Sequence, residues 1–292
     1  MNEYSNRTKR YRYKVKRASV VMFCSVGVLL AVAAGLFLHS VTLRDNSVQV
    51  ASAGNGASTI ADVQPEQAEQ VTPEPENDNP YGIDPTKPMI ALTFDDGPSQ
   101  YTWDIVDALK NHNARATFFL LGSRVATHQA AIDNALAYHN EIASHTFAHK
   151  NLTKLTESEV VEQVRLVDEA LQQQHSYTPA LLRVPYGAKN EQVQEILKAE
   201  GKPIIGWSVD PYDWKVKNKE KVVNHILNSV QDGDIVLMHD IYGPTAEAVA
   251  ELVPALQERG YQLVTVSELF KFRGVTPQAG QYYRSLPPQQ AD

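Results

Sequence analysis

The stretch Met89-Ile90-Ala91-Leu92-Thr93-Phe94-Asp95-Asp96-Gly97-Pro98 decides how the rest of this 292-residue chain is read. An apolar run enters Thr-Phe, then two adjacent carboxylates and a Gly-Pro turn. Short apolar runs bounded by turn formers are consistent with a buried strand. Successive side chains on a strand point to opposite faces, so Asp95 and Asp96 leave its end in different directions. One can hold a cation while the other handles a proton. Taken alone, Asp-Asp-Gly-Pro is also an ordinary solvated turn, and the surrounding sequence has to separate the two readings.

Outward from this stretch, residues 82–275 alternate short apolar runs with amphipathic segments. Strands are predicted over 89–94, 115–121, 141–144, 181–184, 203–209, 234–238 and 263–266. Helices are predicted between them, over 102–111, 128–139, 157–174, 190–200, 219–231 and 245–259. In 157–174, Val160, Val161, Val164, Val167 and Leu171 recur at helical intervals. Gly201 and Gly260 stand where helix C-caps are expected. Alternating β and α segments argue for an α/β domain with a parallel sheet or barrel. Seven strands in this length fit a compact, incomplete barrel, and no internal repeat is visible.

The ends of the chain have a different composition. Residues 1–17 carry seven Lys or Arg against Glu3, a net +6 that leaves −13 for the remainder of a chain whose total is −7. So acidic a remainder lacks the basic footprint of a nucleic-acid binder. Ala18 to Val41 contains no Asp, Glu, Lys or Arg, and about 20 apolar residues suffice to cross a bilayer as a helix. With the basic flank kept in the cytoplasm, 18–41 reads as a single-pass signal-anchor at the cell membrane, with the remainder extracytoplasmic. The alternative is a cleaved signal peptide and a secreted domain, released near Ala51-Ser52-Ala53. The length of the apolar run, and the distance from it to that site, favour the anchor. Cys24 is the only cysteine and lies inside the span, which excludes an intrachain disulfide or a Cys-built zinc cage. Residues 42–80 are rich in Ala, Ser, Gly, Gln, Glu and Pro and read as a flexible extracytoplasmic linker. Residues 276–292 read as a polar tail.

The decisive pattern is where the polar residues fall. Asp95 and Asp96 follow the first strand, His145 the third, Arg183 and Tyr186 the fourth, Asp210 and Asp213 the fifth, and His239 with Asp240 the sixth. In a parallel barrel all strand C-termini open on one face, where active sites are built. His145 and His149 stand at i and i+4, close enough to share an ion within a helical turn. Asp96 completes an open Asp-His-His site with room for water, as in catalytic zinc sites. The remaining histidines, His39, His112, His128, His139, His175 and His225, lack such spacing and read as surface or flanking residues. No Gly-x-Ser-x-Gly elbow occurs; Gly206-Trp207-Ser208-Val209-Asp210 lacks the second glycine. A covalent Ser or Cys nucleophile is therefore unsupported, and a metal-activated water fits better.

Five segments occur in order: Thr93-Phe94-Asp95-Asp96-Gly97-Pro98, Ser144-His145-Thr146-Phe147-Ala148-His149, Arg183-Val184-Pro185-Tyr186-Gly187, Asp210-Pro211-Tyr212-Asp213-Trp214 and Leu237-Met238-His239-Asp240. Together they resemble the polysaccharide deacetylases with a NodB homology domain, carbohydrate esterase family 4, over about residues 85–270. Val184 departs from the proline that many members carry there. The resemblance implies a distorted (β/α)7 barrel over 82–275 that removes acetyl groups from N-acetylated sugars. It implies a divalent metal on Asp96, His145 and His149, usually zinc, with cobalt or another divalent ion also compatible. It further implies Asp95 as general base held by Arg183, and His239 as general acid supported by Asp213. The Tyr186 amide would face the oxyanion, and Trp214 and Leu237 would line the acetyl pocket. With an anchor and tether, the expected substrate is a cell-wall glycan, foremost the N-acetylglucosamine of peptidoglycan. Chitin oligomers, xylan or another surface glycan, and a catalytically inactive glycan-binding module, are the alternatives.

Overall fold

The computed structural model describes residues 79–288. The basic segment, the 18–41 span and nearly all of the 42–80 linker lie outside the described residues. Among those described, no helix is long and apolar enough to cross a membrane. The domain opens with β1 (Met89–Asp95), α1 (Thr102–Lys110), β2 (Thr117–Leu120), α2 (Gly122–Val125), α3 (Gln129–Ala137) and β3 (Glu141–Ser144). It continues through α4 (Glu157–His175), α5 (Glu191–Ala199), β4 (Ile204–Ile205), α6 (Asp213–Val216), α7 (Lys219–Ser229) and β5 (Ile235–His239). It closes with α8 (Gly243–Glu258), β6 (Gln262–Leu263), α9 (Val266–Phe272) and β7 (Tyr282–Tyr283).

Every ladder between these strands is parallel. β3, β2, β1 and β5 lie side by side in that order, and β6 pairs with the start of β1. Isolated bridges continue from Ser144 to Leu182 and from Leu182 to Ile204, and Val209 bridges Val236 in β5. The pairing therefore runs full circle, and the strand C-termini share one rim. β1 shows how the sequence achieves this. Ile90, Leu92 and Phe94 join the apolar cluster beneath the helices, whereas Met89 and Ala91 join an inner cluster with Phe119, Ala143, Ile205 and Ile235. A strand buried on both faces reads as a continuous apolar run, as Met89 to Phe94 does. By the same alternation Asp95 follows Met89, Ala91 and Thr93 into the interior, while Asp96 lies past the strand in the left-handed region with φ 70.

The structure revises several sequence expectations. The segment 181–184 is held only by the bridges at Leu182, and the 203–209 strand shrinks to Ile204–Ile205. Strand 263–266 stops early because Thr265 caps α9, accepting the Glu268 N–H while the Glu268 carboxylate accepts the Thr265 N–H. This Thr-x-x-Glu capping box is a helix start and overrides the β-branched run before it. The 276–292 tail is part of the fold as far as it is described. Tyr282 and Tyr283 pair with Ile204 and Ile205, the Tyr283 ring meets Phe270 edge-on at 4.9 Å, and Leu286 is buried. Two aromatic residues and a leucine within a polar segment provide enough apolar surface to hold it against the barrel.

Candidate active site

The site grows from the end of β1. The Asp95 carboxylate is buried, and one Arg183 terminal nitrogen donates to its Oδ1 at 2.7 Å and to Thr93 Oγ1 at 2.8 Å. The rest of the guanidinium donates to the carbonyls of Ile205 (3.2 Å) and Gly206 (2.9 Å), and its Cζ lies 4.0 Å from the Phe119 ring centre. Burial pushes the Arg183 pKa down, and the Asp95 charge and hydrogen bond oppose it. A buried guanidinium without Asp95 would carry an uncompensated charge, so the pair stands or falls together.

The backbone carbonyl of the same arginine reaches the metal-type cluster. Arg183 O lies 2.8 Å from His145 Nδ1. A hydrogen bond there fixes the imidazole with Nε2 as the free lone pair, the usual arrangement around a ligating histidine. His145 Nε2 stands 3.6 Å from Asp96 Oδ1, and His149 Nε2 stands 3.3 Å from it. All three donor atoms lie within 4.8 Å of one another. Asp96 Oδ1 is buried and makes no hydrogen bond, a costly state for a carboxylate oxygen unless a cation meets it. One oxygen and two imidazole nitrogens form a donor set that suits a divalent ion of the zinc type. Burial, followed by the neighbouring His145, lowers the His149 pKa, which favours the neutral, ligating imidazole.

The two histidines do not share a helical turn. Thr146 and His149 have φ of 68 and 53, and the loop folds back on itself. Its shape is imposed by neighbours. The α2 N–H groups of Gly122 and Ser123 donate to the carbonyls of Thr146 and Phe147. From α4, the Gln163 carbonyl accepts the Phe147 N–H at 3.0 Å and its Oε1 accepts the Ala148 N–H at 2.9 Å. Gln163 is buried and was absent from the sequence-derived site; a polar residue on the apolar face of α4, beside Val160, Val164 and Val167, was the signal available.

Across β1, Asp95 pairs in register with His239 on β5. Asp213, at the start of α6, accepts the His239 N–H at 2.8 Å, the Thr245 hydroxyl at 2.8 Å, and lies 2.9 Å from His239 Nδ1. Burial alone would lower the His239 pKa, but the hydrogen bond and charge of Asp213, then Asp95 and Asp96, outweigh it and bring it to about 9. A cavity of about 410 Å³ joins Asp95, Asp96, His145, His149 and His239 to Tyr186, Trp214 and Leu237. Arg183 and Asp213 stand behind its wall. Tyr186, with φ 61, presents a backbone N–H that has no protein acceptor among the described residues, and its ring packs 4.5 Å from His149. Val184, Trp207, Asp210 and Tyr242 also line the cavity. Behind Gly97 sits the buried Asp240, which accepts the Thr102 hydroxyl; a Cβ on Gly97 would lie 2.2 Å from its Oδ2, so only glycine fits.

Known proteins resemble this chain in sequence and fold. The family model described as Polysaccharide deacetylase matches residues 82–205. A structure described as T48 deacetylase with substrate superposes with TM-score 0.66 at 38% identity, covering 69% of this chain and 99% of that one. The chain belongs to the polysaccharide deacetylase family. Among curated members of that family, the peptidoglycan-N-acetylmuramic acid deacetylase PdaC of Bacillus subtilis is 40% identical over 188 residues, 64% of this chain. The peptidoglycan-N-acetylglucosamine deacetylase PgdA of Listeria monocytogenes is 42% identical over 199 residues, 68% of this chain. The matched regions span about two fifths of each relative, 40% and 41% respectively.

Two outcomes follow for this deacetylase-family site. Gln163→Leu leaves the Ala148 N–H without its acceptor and should weaken any divalent-metal affinity of the Asp96–His145–His149 cluster by about 10- to 100-fold, whereas Gln163→Glu should retain it; competition with a chromogenic chelator measures both. A step that needs protonated His239 should fail as pH rises through about 9. Asp213→Asn removes the supporting charge, so the alkaline limb of kcat/KM should move down toward ordinary imidazole pH. The same sign governs stability: the His239–Asp213 pair stabilises fully below the ordinary imidazole pKa and loses its effect as pH climbs through about 9.

Proposed function

We propose that this protein is a metal-dependent hydrolase that removes N-acetyl groups from a cell-wall glycan, foremost N-acetylglucosamine of peptidoglycan. The observation that carries this reading is the buried, unpartnered Asp96 Oδ1 facing two imidazoles beside a separately held Asp95. Asp96, His145 and His149 would hold a divalent cation, zinc by the nature of the donors. When bound, it polarises the amide carbonyl and makes water more acidic.

The chain's own residues then divide the work. Asp95, held in place by Arg183, accepts a proton from the attacking water. The Tyr186 N–H donates to the oxyanion as the carbonyl carbon becomes tetrahedral, and such a donor is worth about 3 kcal/mol. His239, protonated well above neutral pH and oriented by Asp213, delivers a proton to the departing amine. Trp214 and Leu237 enclose the acetyl methyl. Water adds to the carbonyl carbon, the C–N bond breaks, and acetate and a free amino sugar leave.

The basic segment and the apolar run at 18–41 support a placement of this site outside the cell membrane, tethered near the wall. Recovery of the full chain in the membrane fraction, with its 79–288 region open to external protease, is the expected result for that placement.

Acetate release from peptidoglycan by the metal-loaded full chain tests the reaction. Asp95→Asn should keep the metal and lose turnover by about 10²- to 10⁴-fold, whereas Asp96→Ala should lose metal and turnover together. Glycan binding without acetate release in wild type would mark a non-catalytic module. Release from xylan or chitin oligomers alone would move the substrate away from the wall.

A further inference from the structure

We propose that Arg284 reads a carboxylate on the sugar next to the one being deacetylated, which deepens the function above and rests on it. Beside the catalytic cavity lies a second cleft, of about 510 Å³, whose lining includes Trp207, Asp210, Tyr212, His225, Asp234 and Arg284. Trp207 and Asp210 line both spaces, so the two adjoin. The aromatic pair Tyr212 and Trp214 links them: the rings lie 6.5 Å apart, Tyr212 on the cleft and Trp214 on the catalytic cavity. They are 49% and 45% exposed, more than packing requires. Such half-exposed rings offer apolar faces with a wet edge, a surface on which pyranose rings can lie.

Arg284 reaches this place through the fold. It follows β7, where Tyr283 pairs with Ile205, and Ser285 then bridges Asp234 just before β5, so Arg284 lies on the barrel flank, in a cleft that also takes in Asp210 and Tyr212 past the end of the 203–209 segment. Its Nε donates to the Trp207 carbonyl at 2.8 Å, which ties the root of the guanidinium to the wall shared by both spaces. The side chain is exposed and has no ion-pair partner among the described residues. The carboxylates of the cleft are engaged otherwise. Asp234 accepts the Ser208 hydroxyl and the Gln231 N–H, and Asp210 accepts the Tyr212 N–H. The terminal nitrogens of an anchored guanidinium form a fork that matches a carboxylate. Asp210 and Asp234 supply acceptors for hydroxyl or amide N–H groups of the same branch.

A glycan with N-acetylglucosamine in the catalytic cavity would thus extend over Trp214 and Tyr212 and bring its neighbour's acidic branch to Arg284. That carboxylate is either the lactyl group of a muramic residue or a terminus of an attached peptide.

The experiment measures kcat/KM for acetate release by the full, metal-loaded chain on three glycans: peptide-free wall strands with a free lactyl carboxylate, strands carrying peptides, and chitin tetramer, which has none. The ratio of kcat/KM on the preferred acidic strand to that on chitin should fall about tenfold or more in both Arg284→Ala and Arg284→Gln, with the change in KM, and rising salt should lower the wild-type ratio. The larger loss on peptide-free or on peptide-bearing strands identifies which carboxylate is read. A ratio that stays constant, whether both activities fall or neither does, overturns the proposal, because a packing role would affect all glycans alike. If wild type releases no acetate from any glycan, the hydrolase reading fails instead. Calorimetric binding of the peptide-free and peptide-bearing strands then decides: affinity lost in Arg284→Gln upholds the carboxylate site, and equal affinity overturns it.

Discussion

The contact between Arg183 and Asp95 is the constraint around which the domain is organised. A guanidinium and a carboxylate are both removed from water inside the barrel, which costs more than their attraction returns unless further hydrogen bonds support the pair. The fold supplies them from Thr93 Oγ1 and the carbonyls of Ile205 and Gly206, so each guanidinium nitrogen has an acceptor. Three strand segments converge on one side chain, and the backbone of that residue orients His145. Removing the charge would disturb the inner wall, the proposed base and a metal-type ligand at once.

The opposite side of the site has a separate support. Asp213 gathers the His239 backbone, the His239 ring and the Thr245 hydroxyl. Its environment keeps the imidazole cationic at neutral pH, while His149, with burial and His145 against it, is held toward the neutral form. Two histidines on one rim are thereby pushed in opposite directions, as a proton donor and an ion ligand require.

Much of this was legible in the sequence because it resides in side-chain type and strand order. Met89 to Phe94 has the continuous apolar run of a doubly buried strand, and the polar residues sit at strand ends. What was not legible depends on shape. The His145–His149 loop looks like one helical turn by spacing, yet α2 and Gln163 impose left-handed residues on it. β7 is only two residues, too short to leave a periodic signature, and Tyr282-Tyr283 is surrounded by polar residues. The capping box at Thr265 was readable and was masked by the apolar run before it. Arg284 carries no motif; only the pairings of Tyr283 with Ile205 and of Ser285 with Asp234 reveal which cleft it lines.

The register of β1 against β5 carries a consequence of another kind. Asp95 and His239 occupy the same rung of a parallel ladder, so their backbones are held one interstrand spacing apart, roughly 4.8 Å. That spacing is common to all sheets and barely tunable. The gauge between the two groups proposed to handle protons is therefore inherited from peptide geometry, and the loops are left free to vary without altering it. On the proposed reading, a lineage built on this rung can exchange one glycan for another by changing rim residues, while the spacing of Asp95 and His239 stays constant.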